Sequence, residues 1–391
     1  MTDILSFLTT EGTSKIFEAF NKSGFEIKYV GGCVRDAILG KKADDIDFAT
    51  NALPEKIKEI LDTHDMYHFD SGIKHGTITA VFDKVGYEIT TLRHDVDCDG
   101  RHATVEFTDD WKLDAERRDF TFNALYCDKN GKIYDYFDGI NNLKNGQLRF
   151  IGSPDDRIKE DYLRILRAFR FYNRYCVIEL SDEIKNSIKK HVDKISDLSG
   201  ERIQSEVIKT LECGSSDIEK NIKVFEYFNE LGVSEYVFLK SIVDFSYLRK
   251  CESLNGYEKL AILSRYNAFD LNGLQGRWHL SNKNFSLMKL VSNIRIEQDL
   301  LLKPNKYRYI YRDCYNCFLI CCVIEGFIKV DELKKFQSIE LSDFKLKADV
   351  LIKRGILGRQ LGTEIERLKN IWLDKNCEIE IEDLLVIGGI S

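Results

Sequence analysis

At 391 residues, 43% hydrophobic and 31% charged, the chain exceeds what one compact core serves, so two or more packed domains are expected. Three prolines and 25 glycines exclude long low-complexity linkers. A net charge of −7 argues against a general nucleic-acid coat, while leaving local patches open.

In chain order, "EIKYVGG" (26–32) is a short apolar run ending on a glycine pair, and "CVRDAILG" (33–40) reads as a helix closing at Gly40. "DIDFAT" (45–50) is a second strand. "PEKIKEIL" (54–61) is a helix opened by Pro54 at a first-turn position. "GTITAVF" and "YEITTLR" are alternating strands around "DKVG", a hairpin signal, and "GKIYDYFDGINNL" adds a short strand near Tyr134. From about Asp155 onward the period is helical alone, in "DYLRILRAFRF", "ERIQSEVIKTL", "YEKLAILSRY", "NFSLMKLVSNI", "RDCYNCFLICCVIEGF" and "LGTEIERLKNIWL". An α+β head thus precedes a helical remainder, with the join near 139–156, where Gly139, Gly146 and Gly152 cluster.

The 11 cysteines, an odd number, and an N-terminus without a secretory or import pattern lead to the expectation of a reducing, cytoplasmic setting. No apolar run is long enough to span a bilayer, so no membrane partner is expected. Cys314, Cys317, Cys321 and Cys322 fall at the spacing of a buried helix face, which is preferred over a metal knuckle.

On a strand, Asp45 and Asp47 share one face while Ile46 and Phe48 take the other. Two carboxylates on one face repel unless a cation lies between them, and hard oxygen donors select Mg²⁺. Alone, the pair reads as an acidic turn in preference to a metal site. Just upstream, Gly31 and Gly32 lack the Cβ atoms that keep a phosphate off the backbone, and Arg35 follows about one turn into the helix. That stretch alone reads as a phosphate cradle or as a plain strand-to-helix turn. Glu88, on the strand of a neighbouring hairpin, is a third candidate carboxylate or a surface glutamate.

"GGCVRD", "DDIDFAT", "RRDFTFNAL" (117–125), "EDYLRILRAFRF" (160–171) and "SGERIQSE" (199–206) occur in that order. Together they resemble the class II tRNA nucleotidyltransferases of the DNA polymerase beta superfamily, which include CCA-adding enzymes, A-adding and CC-adding enzymes and bacterial poly(A) polymerases. The resemblance covers residues 25 to about 210. It implies a nucleotidyltransferase head with a small mixed sheet at 1–139, a helical neck carrying a nucleotide-selecting helix at 140–210, a helical body at 211–300 and a tRNA-binding helical tail at 301–391.

The implied activity is template-independent addition of the 3′-terminal CCA to tRNA from CTP and ATP, with two Mg²⁺ ions per site held by Asp45 and Asp47. Gly31, Gly32 and Arg35 match triphosphate contacts. Arg117 and Arg118 are candidates for phosphate and sugar. Asp119 is a candidate for a 2′-hydroxyl or for holding an arginine, and Asn123 for fixing that geometry. Asp161 and Arg164, read as neighbours on one helix face, offer an acceptor beside a donor. Cytosine and adenine present the complement, an amino donor beside a ring-nitrogen acceptor, whereas uracil and guanine reverse it. Arg167 and Arg170 continue the three-residue spacing. Without the head motifs, Asp161–Arg164 is an ordinary surface ion pair.

Residues 94–116 match a flexible loop needed for the switch from C to A addition, with Arg101 and His102 as possible substrate contacts or as parts of a solvated loop. Basic residues interleaved with tyrosines, Lys303, Lys306, Arg308 and Arg312, and a second group at Lys345, Lys347, Lys353 and Arg354, suit RNA backbone contact or a solvated face. Of 7 histidines only His279 lies beyond residue 205, so an appended metal-dependent phosphohydrolase is not expected. Competing readings are A-addition or poly(A) tailing on the same scaffold, and a catalytically silent tRNA-binding protein. Oligomeric state is left open.

Overall fold

The computed structural model describes residues 4–43, 45–99, 102–213 and 217–390. Asp44 and Arg101 lie outside the described residues, as does the side chain of His102. The chain divides into two compact units, Met1–Glu206 with Glu230–Tyr236, and Val207–Asn229 with Val237–Ser391.

The first unit is built on β1 (Ile27–Val30), β2 (Asp47–Thr50), β3 (His68–Gly72), β4 (Thr77–Phe82), β5 (Val85–Thr91), β8 (Leu125–Cys127) and β9 (Ile133–Asp135). These form one sheet in the order β3-β4-β5-β2-β1-β8-β9. Each neighbouring pair is antiparallel except β2 with β5, which run parallel and set Asp47 opposite Glu88. The helix Pro54–Thr63, β3 and β4 make the crossover that this parallel pairing requires. Asp83 and Lys84 turn β4 into β5 with φ of 48° and 66°, the left-handed pair that a two-residue hairpin needs.

One face of the sheet is sealed by aromatic packing. Tyr29 stacks on Phe48 with centroids 5.0 Å apart, and Phe17 meets Phe48 edge-on at 5.4 Å. Phe17 comes from the helix Glu11–Lys22, whose start is fixed by a reciprocal cap between Thr10 and Thr13. These rings hold the middle of β1 and β2 against the core, so the mouth of β2 is rigidly placed.

Two features differ from the sequence reading. Residues 93–99 and 102–107 form an antiparallel ribbon, β6 (Arg93–Asp99) with β7 (His102–Phe107), where a loop is expected. The alternation Asp95-Val96-Asp97-Cys98-Asp99 has a strand period, but aspartates disfavour strands and mask it. The acidic strand begins at Asp47, and Asp45 sits in the bend before it rather than inside a longer strand.

The second unit is helical. Phe225, Phe238, Phe245 and Trp278 form an aromatic core, with the Trp278 indole donating to the Val237 carbonyl at 2.8 Å. A further cluster gathers Leu351, Leu368, Trp372 and Leu384. Cys314 and, on the helix Tyr315–Ile324, Cys317, Cys321 and Cys322 are all buried thiols. Among the described residues, no helix is long and apolar enough to cross a membrane.

A Cβ on Gly139 would stand 2.3 Å from the Thr121 carbonyl oxygen, a backbone atom that cannot step aside. Gly139→Ala is therefore expected to cost about 1–3 kcal/mol, read as a lower melting temperature. An unchanged melting curve would contradict this packing.

Candidate active site

The register of β2 on β5 brings two carboxylates together, since Asp47 and Glu88 are Cα partners. Exposed Asp45 lies close enough to act on them electrostatically. Burial pushes the Asp47 carboxyl up to about 6, with repulsion from Glu88 and Asp45 adding to it and the Arg118 charge opposing. A carboxyl so destabilised in its ionised form suits a site completed by a cation. Among the described residues no three ligating groups converge into a closed cage. The arrangement is an open acidic edge, which fits a hydrated divalent cation.

Arg118 faces this edge. Its Nη2 donates to Asp114 at 3.1 Å, while its buried Nε has no hydrogen-bond partner. Gly31 adopts φ +74°, and a Cβ there would lie 3.4 Å from Arg118 Nη1. The glycine supplies a left-handed turn and leaves the space in front of the guanidinium open. Gly32 begins the short helix Gly32–Ile38.

Asp114 holds this region together. It is 1% exposed and accepts from Arg117 at 2.9 and 2.8 Å, from Arg118, from the Tyr126 hydroxyl at 2.7 Å and from the Arg93 backbone N–H at 3.2 Å. Burial disfavours its charge, yet Arg117 and Arg118 hold its carboxyl far below the ordinary range. Its i, i+3 and i, i+4 spacing to the two arginines is legible in "DAERR", though sequence reading did not single it out.

Asp119 is likewise buried. Its Oδ1 accepts from Asn123 at 2.9 Å and its Oδ2 from Arg167 Nε at 2.7 Å, so of its two expected roles this structure displays the arginine-holding one. Burial raises its carboxyl, but Arg167 and Asn123 outweigh that and lower it. Arg170 donates to Glu206 at 2.5 Å.

Arg35 departs from its expected place. It is 6% exposed, donates to Asn123 at 2.5 Å and to Asp36 at 2.9 Å, and lies 4.2 Å over the Tyr175 ring. It braces the glycine turn from inside, with Nη2 3.6 Å from where a Cβ on Gly32 would stand.

The pair expected to select the nucleotide also departs from its predicted geometry. Asp161 and Arg164 do not share a helix face. One helix, Pro154–Glu160, ends before Asp161, and the next, Leu163–Tyr175, begins after it. Asp161 has an extended backbone, and its Oδ1 caps the Leu163 N–H at 3.0 Å. An aspartate favours that capping role over a helix interior, which breaks the helical run. Asp161 Oδ2 accepts from Arg202 at 2.7 Å. Arg164 donates to Glu160 at 2.5 Å and to the carbonyls of Arg157 and Arg117 at 2.9 and 3.0 Å. Glu160 and Arg202 lie inside quoted motifs, but their roles were not read from sequence.

In the helical unit, part of the expected basic surface is neutralised locally. Lys303 and Lys306 pair with Asp299, and Lys306 also with Glu297. Arg308 donates to the Ile339 carbonyl, and exposed Arg312 lies 4.9 Å over Tyr309.

The raised Asp47 carboxyl has a stability consequence. Its folded value of about 6 exceeds the ordinary 3.8, so the folded state binds that proton more tightly. Its favourable contribution is full below 3.8 and is lost as pH rises through about 6. Metal-free Asp47→Asn should flatten that component and be more stable at pH 7 by roughly 1–3 kcal/mol, measured by denaturant titration against pH. Equal or lower stability of the variant would contradict the burial and repulsion that raise this carboxyl.

The sequence matches the family described as "Poly A polymerase head domain" over residues 27–149, and "Probable RNA and SrmB- binding site of polymerase A" over residues 178–238. It is 34% identical to the mitochondrial CCA tRNA nucleotidyltransferase 1 of Danio rerio over 97% of this chain and 90% of that protein. Against the Homo sapiens protein of the same name it is 33% identical, with the same coverage. The fold is shared with the Bacillus stearothermophilus CCA-adding enzyme, solved in complex with CTP, at a TM-score of 0.75 and 22% identity, covering 98% and 96% of the two chains.

Proposed function

The chain belongs to the class II tRNA nucleotidyltransferases, and we propose that it builds or repairs the 3′-terminal CCA of tRNA from CTP and ATP without a nucleic-acid template. The observation that carries this reading is the register that sets Asp47 against Glu88 beside Asp45, in front of Arg118. In the reaction the tRNA 3′-oxygen attacks the α-phosphorus of the nucleotide, the α–β anhydride bond breaks, and pyrophosphate leaves.

The family implies dependence on a divalent metal. Hard oxygen donors facing a triphosphate favour Mg²⁺, and two ions at Asp45 and Asp47, with Glu88 beside them, are the assignment adopted. When bound, the ions neutralise phosphate charge and make the 3′-hydroxyl easier to deprotonate. Arg118 supplies charge and an unspent N–H donor to the phosphate or ribose side. Asp114 keeps Arg117 and Arg118 oriented, so they need no reorganisation when a nucleotide enters. Arg35, Asn123, Asp119 and Arg167 form the brace that ties the glycine turn to the helix Leu163–Tyr175.

Asp161 and Arg164 are assigned to the nucleobase edge. An ionised carboxylate only accepts hydrogen bonds and a guanidinium only donates, so the cytosine or adenine edge satisfies both. Uracil or guanine would leave buried polar groups facing their own kind, at a cost of about 1–3 kcal/mol per group. The helical tail, with Arg312 exposed, is the assigned tRNA surface. Ten described cysteines that form no disulfide support a reducing compartment, with the cytoplasm as the first reading beside relatives named mitochondrial.

Primer extension on a tRNA lacking its last three nucleotides should add two C from CTP and one A from ATP, then stop. Many added A residues would point to the tailing alternative. With Asp45 and Asp47 both changed to alanine, incorporation should disappear while tRNA affinity, by filter binding, stays within about twofold. Turnover at an undiminished rate would refute the metal assignment. Asp161→Ala should raise UTP use relative to CTP by about tenfold or more in steady-state kcat/KM, and an unchanged ratio would remove Asp161 from base selection.

A further inference from the structure

Lys28 is a cation inside the apolar strand β1, and it is 6% exposed. Alternation along the strand turns Tyr29 into the aromatic packing with its cross-strand partner Phe48. It turns Lys28 to the opposite face, the one that Asp47 shares. A buried ammonium is costly unless it is paired, and here the chain supplies the partners itself. Nζ lies 3.3 Å from the centroid of the Trp111 ring, 4.9 Å from that of Tyr134 and 2.7 Å from a Glu26 carboxylate oxygen. Trp111 opens the helix Trp111–Glu116, which also carries Asp114. So short a helix has little stability of its own, and its side-chain contacts set how it sits. Trp111 meets Tyr126 of β8 edge-on at 5.4 Å. The Tyr126 hydroxyl donates to Asp114 at 2.7 Å, and the Arg118 guanidinium lies 5.5 Å over the Tyr126 ring. An unbroken run of contacts thus leads from Lys28 through Trp111 and Tyr126 to Arg118. The same strand β1 leads into Gly31, where a Cβ would stand 3.4 Å from Arg118 Nη1. The strand that ends in the glycine turn is therefore clamped to the helix that precedes the arginine facing it.

We propose that Lys28 is a positioning residue for nucleotidyl transfer, which grips Trp111 and thereby fixes the Arg118 guanidinium relative to the glycine turn. The proposal rests on the reading of Arg118 as a contact to the nucleotide's phosphate or ribose. With the ammonium replaced by an apolar side chain, Trp111 loses the cation–π attraction that holds it against β1, and its helix is free to roll over Tyr126. Arg118 then keeps its charge but not one fixed direction. Phosphate and ribose are common to CTP and ATP, so the loss is the same for both nucleotides and spares the tRNA.

Steady-state kinetics on the whole chain test this, with CTP on a tRNA lacking its last three nucleotides and ATP on one lacking only the terminal A. A merely structural role would lower the active fraction, which scales kcat and leaves KM unmoved. Lys28→Met removes the charge with little change in volume, and the Glu26 side chain, 64% exposed, is left in water. The variant is expected to raise KM about tenfold for CTP and ATP alike, with the tRNA KM within about twofold of wild type. Lys28→Arg keeps a cation over the ring and is expected to return both nucleotide KM values most of the way. In an Arg118→Gln background, Lys28→Met is expected to change them no further. An unmoved nucleotide KM in Lys28→Met, an equal rise in the tRNA KM, no rescue by Lys28→Arg or a full additive loss in the double variant would each overturn the proposal. Should Lys28→Met not fold, Trp111→Phe, which keeps a smaller ring, takes its place: nucleotide KM is expected to rise severalfold, and a wild-type value overturns the proposal. If Arg118→Gln itself leaves nucleotide KM unchanged, the reading of Arg118 falls first and the proposal falls with it. If only Lys28→Met leaves it unchanged, the proposal alone is lost.

Discussion

Repulsion between carboxylates on adjacent parallel strands is the constraint around which the first unit is organised. Asp47 and Glu88 are fixed opposite each other by backbone register, so no side-chain rotation fully separates them. A protein that needed only stability would place neutral residues there. The fold instead resists the repulsion with dense packing directly behind it, where Phe48, next to Asp47, is fully buried between Tyr29 and Phe17. The unfavourable charge arrangement is thus held by apolar contacts that belong to the same two strands.

The arginines follow the opposite rule. Arg117 and Arg118 share Asp114, Arg167 meets Asp119, Arg170 meets Glu206, and Arg164 meets Glu160. Buried ion pairs of this kind add little net stability, because desolvation offsets most of their attraction. Their value here is orientation. Each carboxylate sits behind its arginine and points the guanidinium in a fixed direction, so the positive groups are arranged before any triphosphate arrives. Among the described residues, Asp45 and Glu88 have no such partner. The site therefore has pre-positioned cations on one side and uncompensated anions on the other, which is what binding a metal–nucleotide complex requires.

The head was legible in the sequence because its elements are local. The glycine pair after "IKYV", Pro54 opening a helix and "DKVG" closing a hairpin each act through their own backbone preferences. The pairing of Asp47 with Glu88 was partly legible, since hairpin logic placed the Glu88 strand near β2 without giving its parallel direction. The β6–β7 ribbon was hidden because aspartates occupy alternate positions that usually signal loops. The break at Asp161 was hidden by the strong helical period of the apolar residues that follow it, while a capping bond to Leu163 decided the local structure. Arg35 illustrates a further limit: its sequence position suits a ligand contact, and only the tertiary placement of Asn123, Asp36 and Tyr175 shows it enclosed.

The central claim is that Asp45 and Asp47 are a cation site that clamps the phosphates of an incoming nucleotide. The most direct measurement is anomalous diffraction from crystals holding Mn²⁺ and a non-hydrolysable CTP analogue. The account predicts metal peaks bridging those carboxylates and the triphosphate, with Arg118 on the nucleotide. A nucleotide bound elsewhere, or bound with no metal density at Asp45 and Asp47, would contradict it.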